Sequence, residues 1–441
     1  MEVEQNIKDY NEIENDMNKT KSDEIKTCNV SNGGQVIHST DKENANPNME
    51  NARNSIRRHD EPSELSFETA PENQEEKAKR KLIENALKDP TTPLEKWREF
   101  AKSEYGLIND DLRRSVWPLL LGVDREQCDP VPTLEELSNH PEYNQVVLDV
   151  NRSLKRFPPG IPIQQRLALQ DQLTVIILRV ITKYPHLSYY QGYHDIAVTF
   201  LLVAGEEIAF HIMEILSTDH LVECMQKTFE IVQKRLLIIY ALIWRENQKL
   251  FEYLERSQCG LLFALPWYLT WFGHSLNQYR SVVRLYDYFL ASEPLMPLYV
   301  TASIVLYRDE DVFREDCDRA NLHCLLSQLP DDLPFEYLLI KSEKLYEKYP
   351  PHDLHRDIEK IIEREQKIRE EEDKIFETRR QMIQRRRNPQ PPAPSFIYRL
   401  FPQAILFNRK SIIVTTAFSI VIGIFAYYYK NNGTFHVDVI R

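Results

Sequence analysis

Several common sequence signals are missing from this 441-residue chain. Glycine occurs only 11 times, and no pair of alternating apolar segments is joined by an Asn-Gly or Asp-Gly turn, which argues against an all-β fold. The six cysteines are scattered and form no CxxC pair, a pattern typical of reduced thiols in the cytosol. The N-terminus, MEVEQNIKDYNEIEND, has neither a basic nor an apolar signal region, so no secretory signal is expected.

Motifs for self-contained catalysis are also missing. The chain has no GxxxxGK[ST], GxSxG or HExxH sequence and no paired Cys/His ligand spacing, and the dipeptide His323-Cys324 is isolated. No long basic stripe with interleaved aromatic residues occurs between Pro93 and Pro350, which excludes a typical nucleic-acid binder. The sequence therefore predicts no nucleotide, metal or nucleic-acid site of the chain's own.

Negative charge is concentrated at the N-terminus. Residues 1–76 contain 18 acidic and 8 basic side chains, a net charge of −10 out of −12 for the whole chain. Large apolar side chains are rare in this segment, so it cannot bury enough surface to offset the loss of chain freedom on folding. We expect residues 1–76 to form a disordered acidic tail.

Residues 77–350 have the pattern of an all-α domain. Apolar residues recur every three or four positions, as in Leu173, Ile176, Ile177 and Val180 and in Leu236, Ile239, Tyr240 and Ile243. The apolar run LLFALPWYLTWFG at 261–273 raises a membrane interpretation, but its 13 residues fall short of the roughly 20 that a span needs. A buried core helix is the preferred interpretation of that run.

The C-terminal part of the chain divides into four segments. Residues 351–388 are dense in Glu, Lys and Arg with a thin line of isoleucines, which predicts one long, mostly solvated helix. Residues 389–410 form a Pro-rich linker followed by an aromatic stretch that is a candidate interfacial segment. The 19 uncharged residues 411–429 predict a single transmembrane tail anchor rather than a core helix. Basic residues before this segment place the large domain in the cytosol and residues 430–441 in a short lumenal tail.

Two short motifs supply the chemistry that the rest of the sequence lacks. They are VVLDVNR at 146–152 and YYQG at 189–192. With LRRSVW at 112–117 and VVRLYD at 282–287, they resemble the IxxDxxR and YxQ signatures and the flanking helices of the TBC domain of Rab GTPase-activating proteins. Val146 stands where the signature has Ile, and Tyr286 where the family usually has Trp. The resemblance covers residues 94–349 and implies a multi-helix TBC domain.

The resemblance also implies a role for residues of both motifs. Arg152 is expected to act as an arginine finger, which stabilises the charge that develops on the γ-phosphoryl group of GTP in a partner Rab. Gln191 is expected to orient the attacking water in place of the GTPase's own glutamine. Asp149 lies one helical turn before Arg152, so its carboxylate can hold the guanidinium in a fixed rotamer.

The second motif is predicted to be a loop. Tyr189 and Gln191 are two positions apart and would not share a helix face. Gly192 permits a tight turn, and we expect a helix to begin near His194. Tyr189 is expected to pack beneath the loop and position it.

Each motif taken alone has an ordinary explanation. An Asp and an Arg three residues apart are usually a surface ion pair, a loop glutamine often bonds its own backbone, and a tyrosine is often a core aromatic. Their occurrence in order within an all-α domain favours a GTPase activator that works in trans. Such a chain is not an enzyme with its own substrate, and it needs no cofactor because the partner GTPase binds GTP and Mg²⁺.

Two other functions are compatible with the sequence. A TBC-like domain can bind a Rab, or shape a membrane, as a scaffold without catalysis. A tether that pairs through the charged helix is disfavoured, because the isoleucines are too irregular for sustained heptads.

The sequence YYQGYHDI together with one C-terminal span most resembles a tail-anchored family member of early secretory traffic. That resemblance implies the endoplasmic reticulum membrane, where other membrane proteins are candidate partners. The Golgi and the mitochondrial outer membrane are alternatives. The identity of the Rab, the oligomeric state and the role of the acidic tail do not follow from the sequence.

Overall fold

The computed structural model describes residues 66–67, 71–126, 129–153, 158–159, 161–387, 422–424 and 426–427. The helices in this part of the chain are α1 (Gln74–Leu87), α2 (Leu94–Lys102), α3 (Asp110–Leu121), α4 (Leu134–Leu137), α5 (Tyr143–Arg152), α6 (Ile163–Lys183), α7 (Tyr193–Ala204), α8 (Glu206–Thr218), α9 (Glu230–Glu246), α10 (Gln248–Ser257), α11 (Leu265–Leu269), α12 (Tyr279–Leu290), α13 (Met296–Tyr307), α14 (Asp309–Arg314), α15 (Arg319–Ser327), α16 (Phe335–Lys348) and α17 (His355–Arg387). Two 3₁₀ helices span Leu262–Ala264 and Pro351–Leu354.

The predicted all-α architecture is confirmed. Among the described residues, β structure is limited to one isolated parallel bridge between Ser66 and Gln278. The backbone N–H of Ser66 donates to the carbonyl of Asn277 at 2.7 Å, and the N–H of Tyr279 donates to the carbonyl of Ser66 at 2.9 Å. Residues just before α1 are therefore attached to the helical domain.

The predicted boundary between tail and domain at residues 76 and 77 is wrong by several positions. Helix α1 begins at Gln74, and Asn73 caps it in a capping box with Glu76. Glu76 is buried and forms an ion pair with Arg280 of α12. The acidic composition concealed this helix start, because a capping box itself requires an acidic or amide side chain in the first turn.

The core is built around helices that are apolar on every side. In α13, eleven consecutive residues from Met296 to Leu306 are buried, and the helix packs against α9 and α16. A helix that is hydrophobic all round can exist in water only when other helices enclose it. The predicted apolar faces of α6 and α9 are confirmed, since all eight of their named residues are buried.

Most of the apolar segment 261–273 is buried as predicted, although Leu262 and Pro266 are exposed, and the segment is not one core helix. It consists of the 3₁₀ helix, the five-residue α11 and a tight turn. The turn is made by Trp271 and Phe272, whose φ angles are +47° and +64°, in the left-handed region that ends a helix. Both aromatic rings lie in the core, so packing holds a backbone conformation that the apolar pattern does not reveal.

The long charged helix is confirmed as α17, which has 33 residues. It begins at His355, after the short 3₁₀ helix, and its first half is less solvated than predicted because it packs against α9. Arg245 of α9 donates to Asp357 at 2.6 Å, and the guanidinium of Arg364 lies 4.7 Å from the ring centroid of Trp244. The start of the charged helix is thus part of the domain.

Several predictions fall outside the described residues. They concern the acidic tail up to residue 65, the linker and interfacial segment at 389–410, and the lumenal tail at 430–441. The predicted anchor at 411–429 is described only at 422–424 and 426–427, which are helical. None of the helices in the described residues combines the length and the apolar character that crossing a membrane requires.

Candidate functional site

Helix α5 presents Arg152 to solvent and Asp149 to the interior. Val146 and Val150 bury one face of the helix against the core. Asp149 lies on the same inner side and is fully buried, whereas the side chain of Arg152 is 60% exposed. The two are joined by a hydrogen-bonded ion pair between a guanidinium nitrogen and a carboxylate oxygen. The predicted pairing one helical turn apart is confirmed.

The carboxylate of Asp149 accepts hydrogen bonds from three side chains. Besides Arg152, the amide of Gln145 donates from 3.2 Å and the hydroxyl of Tyr189 donates from 2.9 Å. The hydroxyl of Ser153 donates to the backbone carbonyl of Asp149 at 3.1 Å. A buried carboxylate is tolerated because its oxygens are occupied by donors. The carboxylate therefore has a fixed position from which to hold Arg152.

The loop with Gln191 is fastened to neighbouring segments through its other residues. The backbone N–H of Ser188 donates to the carbonyl of Met225 at 2.8 Å, and the hydroxyl of Tyr190 donates to the carbonyl of Leu269 at 2.9 Å. Gln191 is exposed although its neighbours Tyr190 and Gly192 are buried. The loop is consequently a supported element that projects one amide side chain into solvent.

Gly192 is required at its position by both conformation and space. Its φ is +107°, which L side chains rarely adopt, and a Cβ atom built there would lie 2.8 Å from Cγ2 of Thr270. Helix α7 begins at the next residue, Tyr193. The predictions of a turn at Gly192 and of a helix starting near His194 are confirmed.

Tyr189 connects the two motifs directly. Its hydroxyl donates to Asp149 and lies 3.0 Å from Nδ1 of His194, and its backbone N–H donates to the carboxylate of Glu142 at 3.0 Å. Burial, together with the adjacent negative charge of Asp149, raises the pKa of Tyr189 well above its usual value. The phenol therefore stays protonated and remains a donor. The expected packing role of Tyr189 is accompanied by a hydrogen bond that the sequence did not predict.

The structure thus joins three of the predicted site residues, Arg152, Asp149 and Tyr189, into one network. A continuous path of contacts runs from Arg152 through Asp149 to Tyr189, which lies two residues before Gln191. Gln145, Glu142 and His194 also belong to this network, and sequence reasoning did not find them. Only Gln145 had a sequence signal, because it precedes Asp149 by one helical turn.

A second buried network lies behind the site and joins the flanking motifs. Nε of Arg113 donates to Asp287 at 3.1 Å, and the indole N–H of Trp117 donates to the same carboxylate at 2.8 Å. The backbone N–H of Leu107 donates to it as well, at 2.9 Å. Burial alone would lower the pKa of Arg113, but the charges of Asp287 and Asp110 raise it above its usual value. This network attaches α3 to α12.

Tyr286, the departure from the family pattern, is fully buried beside the site. Its hydroxyl donates to the backbone carbonyl of Thr270 at 3.3 Å. Thr270 is the residue that contacts Gly192. Tyrosine at this position therefore supports the turn against which the Gln191 loop rests.

One group of potential metal ligands occurs among the described residues, and it is Asp129, His211 and Glu214. The ammonium group of Lys183 lies 3.2 Å from the carboxylate of Asp129 and also pairs with Glu214. The hydrogen bond with Glu214 contributes most to raising the pKa of Lys183 above its usual value. Because Lys183 supplies the positive charge, this cluster is an ion-pair network. The absence of a cofactor stays a prediction.

The fold is all-helical, an exposed arginine is held by a buried network, and an exposed glutamine lies two residues after a member of that network. The model of the Rab-GTPase-TBC domain matches residues 110–313. The chain belongs to this family of Rab GTPase-activating proteins, and the family prediction from the motifs is confirmed.

Two relatives are similar to this chain over 72% and 70% of their own length. TBC1 domain family member 20 of Homo sapiens is 46% identical over 292 residues, which cover 66% of this chain and 72% of that protein. GTPase-activating protein gyp10 of Schizosaccharomyces pombe is 32% identical over 267 residues, or 59% of this chain and 70% of that protein. The crystal structure of the Ypt/Rab-GAP domain of Gyp1p matches with a TM-score of 0.47 and 18% identity, covering 62% of this chain and 99% of that one.

Proposed function

We propose that this chain accelerates GTP hydrolysis by a Rab of early secretory traffic, with Arg152 as the arginine finger and Gln191 as the water-orienting glutamine. The observation that carries the proposal is the path of contacts from Arg152 through Asp149 to Tyr189. It fixes the exposed side chain of Arg152 and reaches the loop that carries the exposed side chain of Gln191.

The chemistry of phosphoryl transfer explains why Arg152 is needed. Hydrolysis of GTP spreads negative charge over the γ-phosphoryl oxygens and the bridging oxygen, and a guanidinium stabilises that charge. Supplied in trans, an arginine finger contributes about 10³- to 10⁵-fold in rate, or roughly 4 to 7 kcal/mol of barrier. Arg152 has 60% of its side chain exposed, so a phosphate on another protein can reach it.

Gln191 suits the second role because its amide group can both donate and accept. The carbonyl oxygen can accept a hydrogen bond from the attacking water while the N–H₂ group donates one to the water or to the phosphate. The fastened loop around Gln191 limits how far this amide can move. The partner GTPase would supply GTP and Mg²⁺, so the chain itself requires no cofactor.

Attachment to a membrane is part of the proposal. The uncharged segment 411–429 is long enough to span a bilayer, and the basic residues before it favour a cytosolic domain. For the site of action we propose the endoplasmic reticulum, because YYQGYHDI and the C-terminal uncharged segment resemble a tail-anchored member of the family. The alternatives are the Golgi and the mitochondrial outer membrane. Microscopy of a tagged chain in cells would distinguish them from the endoplasmic reticulum.

The catalytic proposal is tested by single-turnover hydrolysis with a panel of purified, GTP-loaded Rabs and the full chain. We expect stimulation of one Rab or a small group, and a loss of about 10³-fold or more in stimulated rate with Arg152→Ala. Arg152→Lys should lose nearly as much, because an ammonium group lacks the planar fork. Gln191→Ala should also reduce the stimulated rate.

The matched control is Arg314→Ala, which removes an exposed arginine that forms ion pairs within α14. It should leave the stimulated rate unchanged. Full stimulation by Arg152→Ala protein would remove Arg152 from the mechanism. If that variant also replaced the wild-type chain in cells, the non-catalytic scaffold would be the correct function.

A further inference from the structure

Helix α17 has one apolar stripe, of which the domain covers only the first half. Ile361, Ile368, Ile375 and Met382 follow one another at intervals of seven residues, which is nearly two helical turns. Ile361 is 2% exposed, whereas Ile375 and Met382 are 61% and 60% exposed. The stripe therefore continues beyond the surface that it packs against.

A second apolar line lies beside the first. Phe376 is 67% exposed and Ile383, seven residues later, is 50% exposed. Contacts between α17 and the domain are described as far as Glu372, which accepts a hydrogen bond from Gln258. Exposed aliphatic and aromatic side chains at this density indicate an interaction surface. We call residues 373–384 the distal segment of α17.

Positive charge accompanies these apolar side chains. Residues 373–387 contain six basic and two acidic residues, although the whole chain has a net charge of −12. Arg379 lies on the helix face between Ile375 and Met382, and Arg380 lies between Phe376 and Ile383, each four residues after the first member of its pair. Arginines within an apolar face are typical of helices that lie in a membrane interface, where the guanidinium reaches the lipid headgroups.

The two acidic residues lie away from the first apolar line. Asp373 and Glu377 are each two positions from Ile375, which places them about 160° from it around the helix axis. Asp373 lies about 20° from Arg380, so Arg379 is the basic residue that lies between the two apolar lines.

We propose that the distal segment lies on an anionic lipid bilayer, with its apolar side chains in the headgroup boundary and its arginines on the phosphates. The distribution of charge favours lipid over a second copy of the chain. A paired copy would need a second apolar position in each seven-residue repeat, and the charged residues Glu365, Glu372 and Arg379 occupy that position. An anionic bilayer attracts the arginines and accepts the exposed apolar side chains at its headgroup boundary.

This inference rests on the membrane attachment in the proposed function. The 23 residues 388–410 that separate α17 from the uncharged segment can extend on the order of 80 Å at most. An anchored chain would hence keep α17 close to the bilayer. The inference adds a second, reversible contact that depends on lipid charge.

Hydrogen exchange of the full chain in vesicles tests the contact. The chain is reconstituted in phosphatidylcholine vesicles with or without phosphatidylserine, and exchange of the amides of residues 373–384 is followed by mass spectrometry. We expect slower exchange with phosphatidylserine than without it, and loss of the difference at high salt. Each arginine near an anionic surface contributes about fivefold, so Arg379→Gln with Arg380→Gln should reduce the difference by about 25-fold or abolish it.

The matched control removes two basic residues from the covered half of the same helix, Lys367→Gln with Arg369→Gln. This control variant changes the net charge by the same amount and should retain the slower exchange of residues 373–384 with phosphatidylserine. The variant Ile375→Ser with Met382→Ser should lose this slower exchange. Co-flotation of the chain with each vesicle type is measured in parallel, and it reports the anchor separately.

Three results would overturn the inference. Equal exchange in both kinds of vesicle, with the chain co-floating, would reject the lipid contact and leave the anchor standing. Absence of flotation with either vesicle would reject both. Protection in detergent that increases with protein concentration would identify a second copy as the occupant.

Flotation with anionic vesicles alone would support the lipid contact and reject the anchor.

Discussion

The hydroxyl group of Tyr189 is the point at which the two motifs meet. It donates to the buried carboxylate that pairs with Arg152, while its own residue begins the loop of Gln191. Movement of the loop would weaken the bond that helps to fix Asp149. At the scale of single residues, this hydrogen bond connects the helix that carries Arg152 with the loop that carries Gln191.

Tyr189→Phe retains the ring and removes this bond. A hydrogen bond to a charged group contributes about 1.5–3 kcal/mol, so we expect the stimulated rate of GTP hydrolysis to fall by roughly 10- to 100-fold. Affinity for a Rab loaded with a non-hydrolysable GTP analogue should change little, because the exposed surface is the same. The measurement is single-turnover hydrolysis together with Rab binding, and Tyr307→Phe, at the end of α13, is the control. An unchanged rate would mean that Asp149 holds Arg152 without Tyr189.

The sequence predicted which residues form the site but not how they contact one another. The pair of Asp149 and Arg152 is local and follows from helical spacing. The bond between Asp149 and Tyr189 joins residues 40 positions apart, and no local pattern records it. Packing of α5 against α7 has to be known first.

At the scale of elements, the loop between α6 and α7 depends on a close approach to Thr270. Gly192→Ala would place a methyl group 2.8 Å from Cγ2 of Thr270 and force alanine to a φ of +107°. We expect a loss of about 1–2 kcal/mol from the backbone conformation alone, and a greater total loss because of the contact. Thermal unfolding measures the loss of stability, and the stimulated rate should fall as the loop shifts.

A second substitution separates the two causes. Thr270→Ser removes Cγ2 and retains the hydroxyl that donates to the carbonyl of Pro266. In the Gly192→Ala background it should restore part of the stability but not the part due to φ. No recovery at all would show that the backbone conformation alone requires glycine.

Element prediction succeeded where periodicity and tertiary packing agree. The faces of α6 and α9 were read correctly because residues three and four apart were buried together. It failed at 261–273, where Trp271 and Phe272 take positive φ values. Aromatic residues rarely adopt this conformation, so only their burial in the folded core stabilises it.

At the scale of the whole molecule, Asp287 connects parts of the chain that are far apart in sequence. It accepts from Arg113 and Trp117 of α3 and from the backbone N–H of Leu107. The family resemblance identified the segments 112–117 and 282–287 but did not show that they contact each other. A contact across 174 residues becomes visible only in the fold.

Asp287→Asn should destabilise the domain as a whole. Loss of one partner from a buried ion pair costs about 3–5 kcal/mol, because the remaining charge stays buried. Urea denaturation followed by circular dichroism should show a lower midpoint with an unchanged slope. Asp316→Asn, at an exposed carboxylate after α14, is the control and should shift the midpoint by little. A similar midpoint for both variants would contradict a structural role for Asp287.

The inward position of Asp149 has a consequence for how fast a complex can react. Freezing a free arginine side chain costs about 2 kcal/mol of rotamer entropy. Here two other donors, Gln145 and Tyr189, fix the carboxylate, and the carboxylate restricts the guanidinium before any partner arrives. Much of the ordering is thus completed during folding, and an encounter between the two proteins needs less conformational search before the chemical step.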